Sequence, residues 1–172
     1  MAKNAVPNIF TFGNLACGIL SIMMTFQSNY KWACFFIIFA ALMDRYDGRI
    51  ARLLQVSSEI GKELDSLADL VSFGVAPSIL LFSMYNFINF GAFGYMLVLI
   101  FPIAGAYRLA RYNSSTFQGT FMGVPITIAG LLLAFYALIT ITFAHSLKPG
   151  LSITLIVILS YLMISKLKIK KV

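Results

Sequence analysis

The stretch that decides the fold reads DRYDGRIAR over residues 44–52 and GKELDSLAD over residues 61–69. With the eight residues between them, these segments hold all six acidic residues of the chain: Asp44, Asp47, Glu59, Glu63, Asp65 and Asp69. A chain of 172 residues thus confines its acids to 26 consecutive positions. We expect the chemistry of the protein in this stretch.

The composition around this stretch is that of a membrane protein. Hydrophobic residues make up 60% of the chain and charged residues 11%, whereas soluble domains average roughly 45–50% apolar and about 25% charged residues. Too few charged side chains are present to cover the surface of a soluble domain of this length. Carboxylates at the ends of membrane spans are costly and usually functional, which adds weight to the acidic stretch.

Hydropathy predicts six membrane-spanning helices, because each apolar run approaches the roughly 20 residues that a bilayer core requires. The predicted spans are Val6–Phe26, Trp32–Leu54, Leu64–Tyr85, Gly91–Ala110, Phe121–Ala144 and Leu151–Ser165. No linker or repeat long enough to separate two domains lies between them. We therefore expect an all-α membrane protein with a single integral membrane domain over residues 1–172.

The basic residues predict the orientation of the chain. An even number of spans puts both termini on one side, together with eleven basic residues: Lys3, Arg45, Arg49, Arg52, Lys62, Arg108, Arg111, Lys166, Lys168, Lys170 and Lys171. Only Lys31 and Lys148 fall on the other side. This predicts cytoplasmic termini and an acidic site at the cytoplasmic face of the cell membrane. The net charge of +7 flanks apolar spans, which favours anionic membrane lipid and no nucleic acid as the partner.

Helical periodicity places the aspartates on two faces. Positions 44, 47, 48 and 51 share one face of a helix, and positions 61, 65 and 69 share a face of the next. A turn around Val56–Glu59 would fold the two helices antiparallel, so that four aspartates converge across one groove. Gly48, Ala51 and Gly61 put little bulk on these faces, which leaves room for close helix packing or for a flat base or diphosphate.

Four carboxylates in one groove repel one another strongly when the dielectric constant is low. Cations must therefore compensate them, and an all-oxygen ligand set favours Mg²⁺ or Mn²⁺. In the alternative reading, the aspartates are interfacial charges paired with Arg45, Arg49, Arg52 and Lys62. That alternative does not explain why the aspartates share a register on two facing helices.

The run D-x-x-D-G-x-x-A-R-x8-G-x-x-x-D-x-x-x-D, from Asp44 to Asp69, resembles the signature of the CDP-alcohol phosphatidyltransferase family, with every fixed position present. The resemblance implies six transmembrane helices, a homodimer and two divalent cations. It implies that the metal ligands are Asp44, Asp47, Asp65 and Asp69, with Asp69 also the base that deprotonates the acceptor alcohol. The residues that it implies shape or contact the CDP moiety are Gly48, Ala51, Arg52 and Gly61.

Further segments resemble the phosphatidylserine synthase branch of Gram-positive bacteria and archaea, namely residues 7–14, 65–78, 108–113 and 121–125. This resemblance implies transfer of the phosphatidyl group of CDP-diacylglycerol to the hydroxyl of L-serine, giving phosphatidylserine and CMP. Glycerol 3-phosphate, inositol or an aminoalcohol stays open as acceptor. A cation transporter is the alternative from another class, but transport sites usually lie near the midplane on broken helices.

Two further sets of polar residues are candidates for binding the substrate. Arg108 and Arg111 lie three apart on one helical face and could offer bidentate contacts to a diphosphate or a carboxylate, or could simply reflect the positive-inside rule. Asn8, Thr11 and Asn14 share a face of the first span and could hydrogen-bond the nucleotide. Their alternative role is polar packing between helices.

Overall fold

The structure, a computed structural model, describes residues 2–54, 58–114, 121–143, 149–165 and 168–169. Side chains are described within these ranges from position 8 onward, except at 51, 52, 54, 121, 122, 168 and 169. The α-helices in these ranges are α1 (Ala2–Phe26), α2 (Tyr30–Leu54), α3 (Glu59–Asp69), α4 (Ala76–Met84), α5 (Ala92–Ser114), α6 (Ile126–Phe143) and α7 (Pro149–Ile164). The π-helical turn Leu70–Val75 joins α3 to α4 in one continuous helix, and a 3₁₀ turn, Phe87–Phe90, precedes α5. Two-residue strands, β1 (Phe121–Met122) and β2 (Lys168–Ile169), pair antiparallel.

The predicted all-helical membrane architecture is confirmed in its coarse form. In the described part of the chain, four helical stretches are long and apolar enough to cross a membrane: Asn8–Phe26, Glu59–Met84, Ala92–Ser114 and Ile126–Phe143. Helix α7 is a shorter apolar helix of 16 residues. Helix α2 has 25 residues, but charged side chains from Asp44 onward interrupt its apolar character. The count of six spans therefore stays a prediction.

Two helices start five residues away from their predicted bounds, and local chemistry explains both. The third helix begins at Glu59, before Leu64, because the Ser58 hydroxyl caps it by accepting the N–H of Gly61 at 2.9 Å. Helix α6 begins at Ile126, because the backbone at Gly123 is not in a right-handed helical conformation. Gly123 has a φ of +77°, a left-handed conformation that ends regular right-handed structure.

The π-helical turn lies among other helices and packs mainly against α1, α5 and α6. Glycines allow two of these helices to approach it closely. A Cβ atom at Gly18 of α1 would lie 2.8 Å from the Cα of Ser72, and one at Gly130 of α6 would lie 2.8 Å from the Cα of Phe73. Both neighbours are backbone atoms, so the backbone itself would have to move. The glycines therefore set the distance between these helices.

We expect Gly130→Ala to destabilise the protein by about 1–3 kcal/mol, the range typical of overpacking. The matched control is Gly150→Ala in α7, where an added Cβ has no neighbour within 4 Å. The control should be neutral or slightly stabilising, because alanine favours helix by up to about 1 kcal/mol over glycine. Thermal unfolding midpoints of the detergent-purified variants measure both effects. Equal midpoints for the two variants would contradict the close approach of α6.

Candidate active site

Three of the predicted aspartates lie around one point. Asp44 and Asp47 come from α2 and Asp65 from α3, and one carboxylate oxygen from each lies within 4.8 Å of the others. Asp47 is 7% exposed, while Asp44 and Asp65 are half-buried. The spacing of three in α2 presents two carboxylates to the same side of the helix, where α3 supplies the third. We call this group the carboxylate triad.

The triad occupies a groove that the packing of the helices leaves open. Helix α2 approaches the π-helical turn and α4 more closely than it approaches α3, while α1 contacts all of them. No described residue lies within 4 Å of the position of a Cβ atom at Gly48, so open space adjoins Asp47 in the described part of the chain. A ligand beside the carboxylates would find room there.

The triad fits a hard divalent cation. Oδ1 of Asp65 is buried and has no hydrogen-bond partner among the described residues. Arg45 and Arg49 are exposed, and the structure records no ion pair between either of them and the triad. A buried carboxylate oxygen without a partner is unfavourable unless a cation or donor compensates it. The donors are all oxygen atoms, the set that Mg²⁺ and Mn²⁺ prefer.

Asp69 lies one turn further along α3 and stands apart from the triad. It is 7% exposed, and it is not one of the three carboxylates that lie within 4.8 Å of one another. Its Oδ1 accepts a hydrogen bond from Nδ2 of Asn14 at 3.0 Å. The triad carboxylates act on it electrostatically. The geometry brings Asp69 next to the triad without making it a member, and its predicted role as a metal ligand stays a prediction.

Polar residues of α1 line the same groove. The hydroxyl of Thr11 donates to Oδ2 of Asp47 at 3.0 Å. Oδ1 of Asn8 lies 3.6 Å from the position of a Cβ atom at Gly61, so these two predicted residues are neighbours. Contacts of Asn8, Thr11, Gly48 and Gly61 with a nucleotide stay predictions. The side chains of Ala51 and Arg52 lie outside the described ones.

Arg108 and Arg111 of α5 lie three residues apart, yet they have different surroundings. Arg108 is 8% exposed, and its Nε is buried without a hydrogen-bond partner in the part of the chain that the structure describes. The carboxylate of Asp69 is an electrostatic neighbour of this guanidinium. Arg108 is therefore a buried cation with a free donor beside the predicted base.

Arg111 instead binds the C-terminal end of α7. Its Nη1 donates to the carbonyl oxygen of Ile164 at 2.9 Å, and its Nη2 lies 3.4 Å from the carbonyl oxygen of Ser165. The last carbonyls of a helix have no intrahelical partner, so a guanidinium stabilises them well. Binding of a substrate anion by Arg111 stays a prediction, and it would have to compete with these contacts.

A polar cluster that the sequence did not single out joins α3 to α5 at the rim of the groove. Nδ2 of Asn113 donates to Oγ of Ser66 at 3.0 Å and to Oε1 of Glu63 at 3.2 Å. Nζ of Lys62 lies 3.4 Å from the carbonyl oxygen of Asn113 and 5.9 Å from the centre of the Tyr112 ring. The available signal was the spacing of 62, 63 and 66, which share a face of α3 next to the face that carries Asp65.

Comparison with known proteins agrees with this geometry. The model of the CDP-alcohol phosphatidyltransferase family matches residues 4–166. A CDP-diacylglycerol–serine O-phosphatidyltransferase of Bacillus subtilis is 38% identical over 166 residues, which cover 96% of this chain and 89% of that protein. The enzyme of the same name from Helicobacter pylori is 37% identical over 168 residues, which cover 94% of this chain and 70% of that protein.

An archaeal relative extends the similarity. The archaetidylserine synthase of Methanothermobacter thermautotrophicus is 34% identical over 141 residues, which cover 78% of this chain and 58% of that protein. The family resemblance read from the aspartate motif is thus confirmed over nearly the whole length of the sequence. The chain belongs to the CDP-alcohol phosphatidyltransferase family.

Proposed function

We propose that this chain is a CDP-diacylglycerol–serine O-phosphatidyltransferase, which makes phosphatidylserine and CMP. The observation that carries the proposal is the carboxylate triad of Asp44, Asp47 and Asp65 with Asp69 beside it. Phosphoryl-group transfer needs charge compensation at the phosphates and a base for the attacking hydroxyl. The names of the relatives from Bacillus subtilis and Helicobacter pylori support serine as the acceptor.

The residues of the site have different roles in the proposed reaction. One or two divalent cations held by the triad would neutralise the diphosphate and the charge that develops on the transferred phosphoryl group. Asp69 takes the proton from the serine hydroxyl, and the serine oxygen then forms a bond to the phosphorus that bears diacylglycerol. The bond from that phosphorus to the bridging oxygen breaks, and its electrons leave with CMP. Asn8, Thr11, Gly48, Ala51, Arg52 and Gly61 are the proposed contacts of the CDP moiety.

Arg108 is the proposed partner of the serine carboxylate. Its buried Nε has no partner among the described residues, and it lies close to Asp69 in electrostatic terms. A carboxylate bound there would bring the hydroxyl of the same small molecule toward the base. Inositol and aminoalcohols carry no anionic group for this guanidinium. Glycerol 3-phosphate has a phosphate, which would call for more cations than one, and Arg111 is engaged at α7.

The proposal includes the membrane placement. We propose one domain with six spans, cytoplasmic termini and the site at the cytoplasmic face, supported by the distribution of lysines and arginines. Helix α2 would cross with its charged end at the interface. Helix α7, about 24 Å long at about 1.5 Å per residue, would need a locally thinner bilayer. A homodimer is part of the same proposal and rests on family resemblance.

Metal removal should abolish activity. Since the triad needs compensation, treatment with EDTA should stop CMP release from CDP-diacylglycerol and serine, and Mn²⁺ or Mg²⁺ should restore it. The measurement is CMP release by the purified protein after chelation and after adding each ion back. The thermal midpoint, recorded in parallel, checks that chelated protein remains folded. Full turnover of thoroughly chelated, folded protein would show that the triad does not need a cation.

The acceptor preference is a second test. With CDP-diacylglycerol, serine should release CMP at least about tenfold faster than glycerol 3-phosphate or inositol, because a hydrogen bond to a charged group contributes about 1.5–3 kcal/mol. Initial rates at equal acceptor concentration measure the preference. A faster rate with glycerol 3-phosphate or inositol would move the protein to another branch of the family.

The roles of the aspartates can be separated by substitution. Asp69→Asn keeps the size of the side chain but cannot take a proton, so turnover should fall by about 10²–10⁴ while CDP-diacylglycerol still binds with metal present. Asp44→Asn or Asp47→Asn should lose metal affinity and, with it, affinity for the nucleotide. Calorimetric titration alongside turnover measures both. Near-normal turnover of Asp69→Asn, or normal metal and nucleotide binding by Asp44→Asn, would refute this division of roles.

A further inference from the structure

Helix α1 makes one hydrogen bond to each half of the site. Thr11 donates to Asp47 on α2, and Asn14 donates to Asp69 on α3, both at 3.0 Å. The two donors lie three residues apart on one face of α1 and are 4% and 0% exposed. One helix thus contacts a member of the triad and the separate carboxylate through two different side chains.

Each bond holds one oxygen of its carboxylate. Thr11 donates to Oδ2 of Asp47, and Asn14 donates to Oδ1 of Asp69. A carboxylate has two oxygens and turns freely about its last bond unless a donor holds it. The two bonds therefore orient Asp47 and Asp69 independently of each other.

Asn14 is itself held in place. Its backbone carbonyl accepts the hydroxyl of Ser72 at 2.9 Å. Its side-chain Oδ1 is buried without a partner among the residues that the structure describes, an arrangement that costs about 1–3 kcal/mol. An apolar residue would fill the same space without this loss. Packing therefore does not explain an amide at this position. The hydrogen bond that its N–H donates to Asp69 does.

We propose that α1 sorts the aspartates into two roles, with Thr11 as a positioning residue for the metal-binding Asp47 and Asn14 as a positioning residue for the base Asp69. The inference rests on the proposed function, since it takes the triad as the metal site and Asp69 as the base. It goes beyond that function because each residue acts here through the aspartate to which it donates a hydrogen bond.

The test uses Thr11→Val and Asn14→Leu, with Thr25→Val as the matched control. Thr25 is a threonine of the same helix, 2% exposed, whose hydroxyl donates within α1 to the carbonyl of Ser21 at 2.9 Å. For each detergent-purified variant we would measure Mn²⁺ affinity by electron paramagnetic resonance, the thermal midpoint, and kcat and KM for the acceptor at saturating Mn²⁺.

Thr11→Val should weaken Mn²⁺ binding by about 10–100-fold, the usual effect of losing a partner of a metal ligand. Asn14→Leu should lower kcat by at least about tenfold, with Mn²⁺ affinity and midpoint little changed. Thr25→Val should change neither the Mn²⁺ affinity nor kcat. If Asn14→Leu fails to fold, Asn14→Ala should give the same split.

The proposal is overturned if Asn14→Leu weakens Mn²⁺ binding as much as Thr11→Val does, if Thr11→Val leaves Mn²⁺ affinity unchanged, or if Asn14→Leu leaves kcat unchanged. Failure of the proposed function would look different. The unsubstituted protein would then prefer an acceptor other than serine. The kcat values of the variants would be compared again with that acceptor. If it released no CMP with any acceptor, the Mn²⁺ affinities of Thr11→Val and Thr25→Val would still decide the role of Thr11.

Discussion

The repulsion among Asp44, Asp47, Asp65 and Asp69 is the constraint on which the rest of the structure depends. Four carboxylates in a groove of low dielectric constant cannot all stay charged and uncompensated. Three features of the fold can reduce this repulsion. They are the carboxylate oxygens arranged to bind cations, the hydrogen-bond donors of α1, and the buried guanidinium of Arg108. Open space at Gly48, among the described residues, leaves room beside Asp47 for a compensating group. The same groups that relieve the repulsion are the ones that the proposed reaction uses.

Local periodicity made the aspartate groove predictable from the sequence. Spacings of three and four within one helix fix which side chains share a face, so Asp44, Asp47 and Asp65 could be brought together without knowing the rest of the fold. Contacts between helices far apart in the sequence could not be predicted in this way. Asn14 and Asp69 are 55 residues apart, and the polar face of α1 suggested only a general role in binding. Arg108 and Arg111 share a face by spacing, yet the long side chain of Arg111 reaches the unpaired carbonyls of α7.

The π-helical turn Leu70–Val75 could not be predicted either, because its sequence LVSFGV does not differ from that of an ordinary apolar stretch of a membrane helix. It follows directly after Asp69, and the wider turn shifts the register of α4 relative to α3. The face of α3 that carries the aspartates therefore does not continue along α4. Gly18 and Gly130 let α1 and α6 close on this turn, so the segment after Asp69 is fixed from both sides. Such turns often occur next to functional sites.

The polar cluster around Asn113 has a consequence for how a lipid reaches the groove. Because Asn113 bonds Ser66 and Glu63, the seam between α3 and α5 is closed by hydrogen bonds at the level of the rim, and an acyl chain cannot slip through it without breaking them. On the side of α2, the Cβ position of Gly48 has open space around it among the described residues. Under the proposed function, a two-tailed substrate would therefore enter more easily beside Gly48 than between α3 and α5.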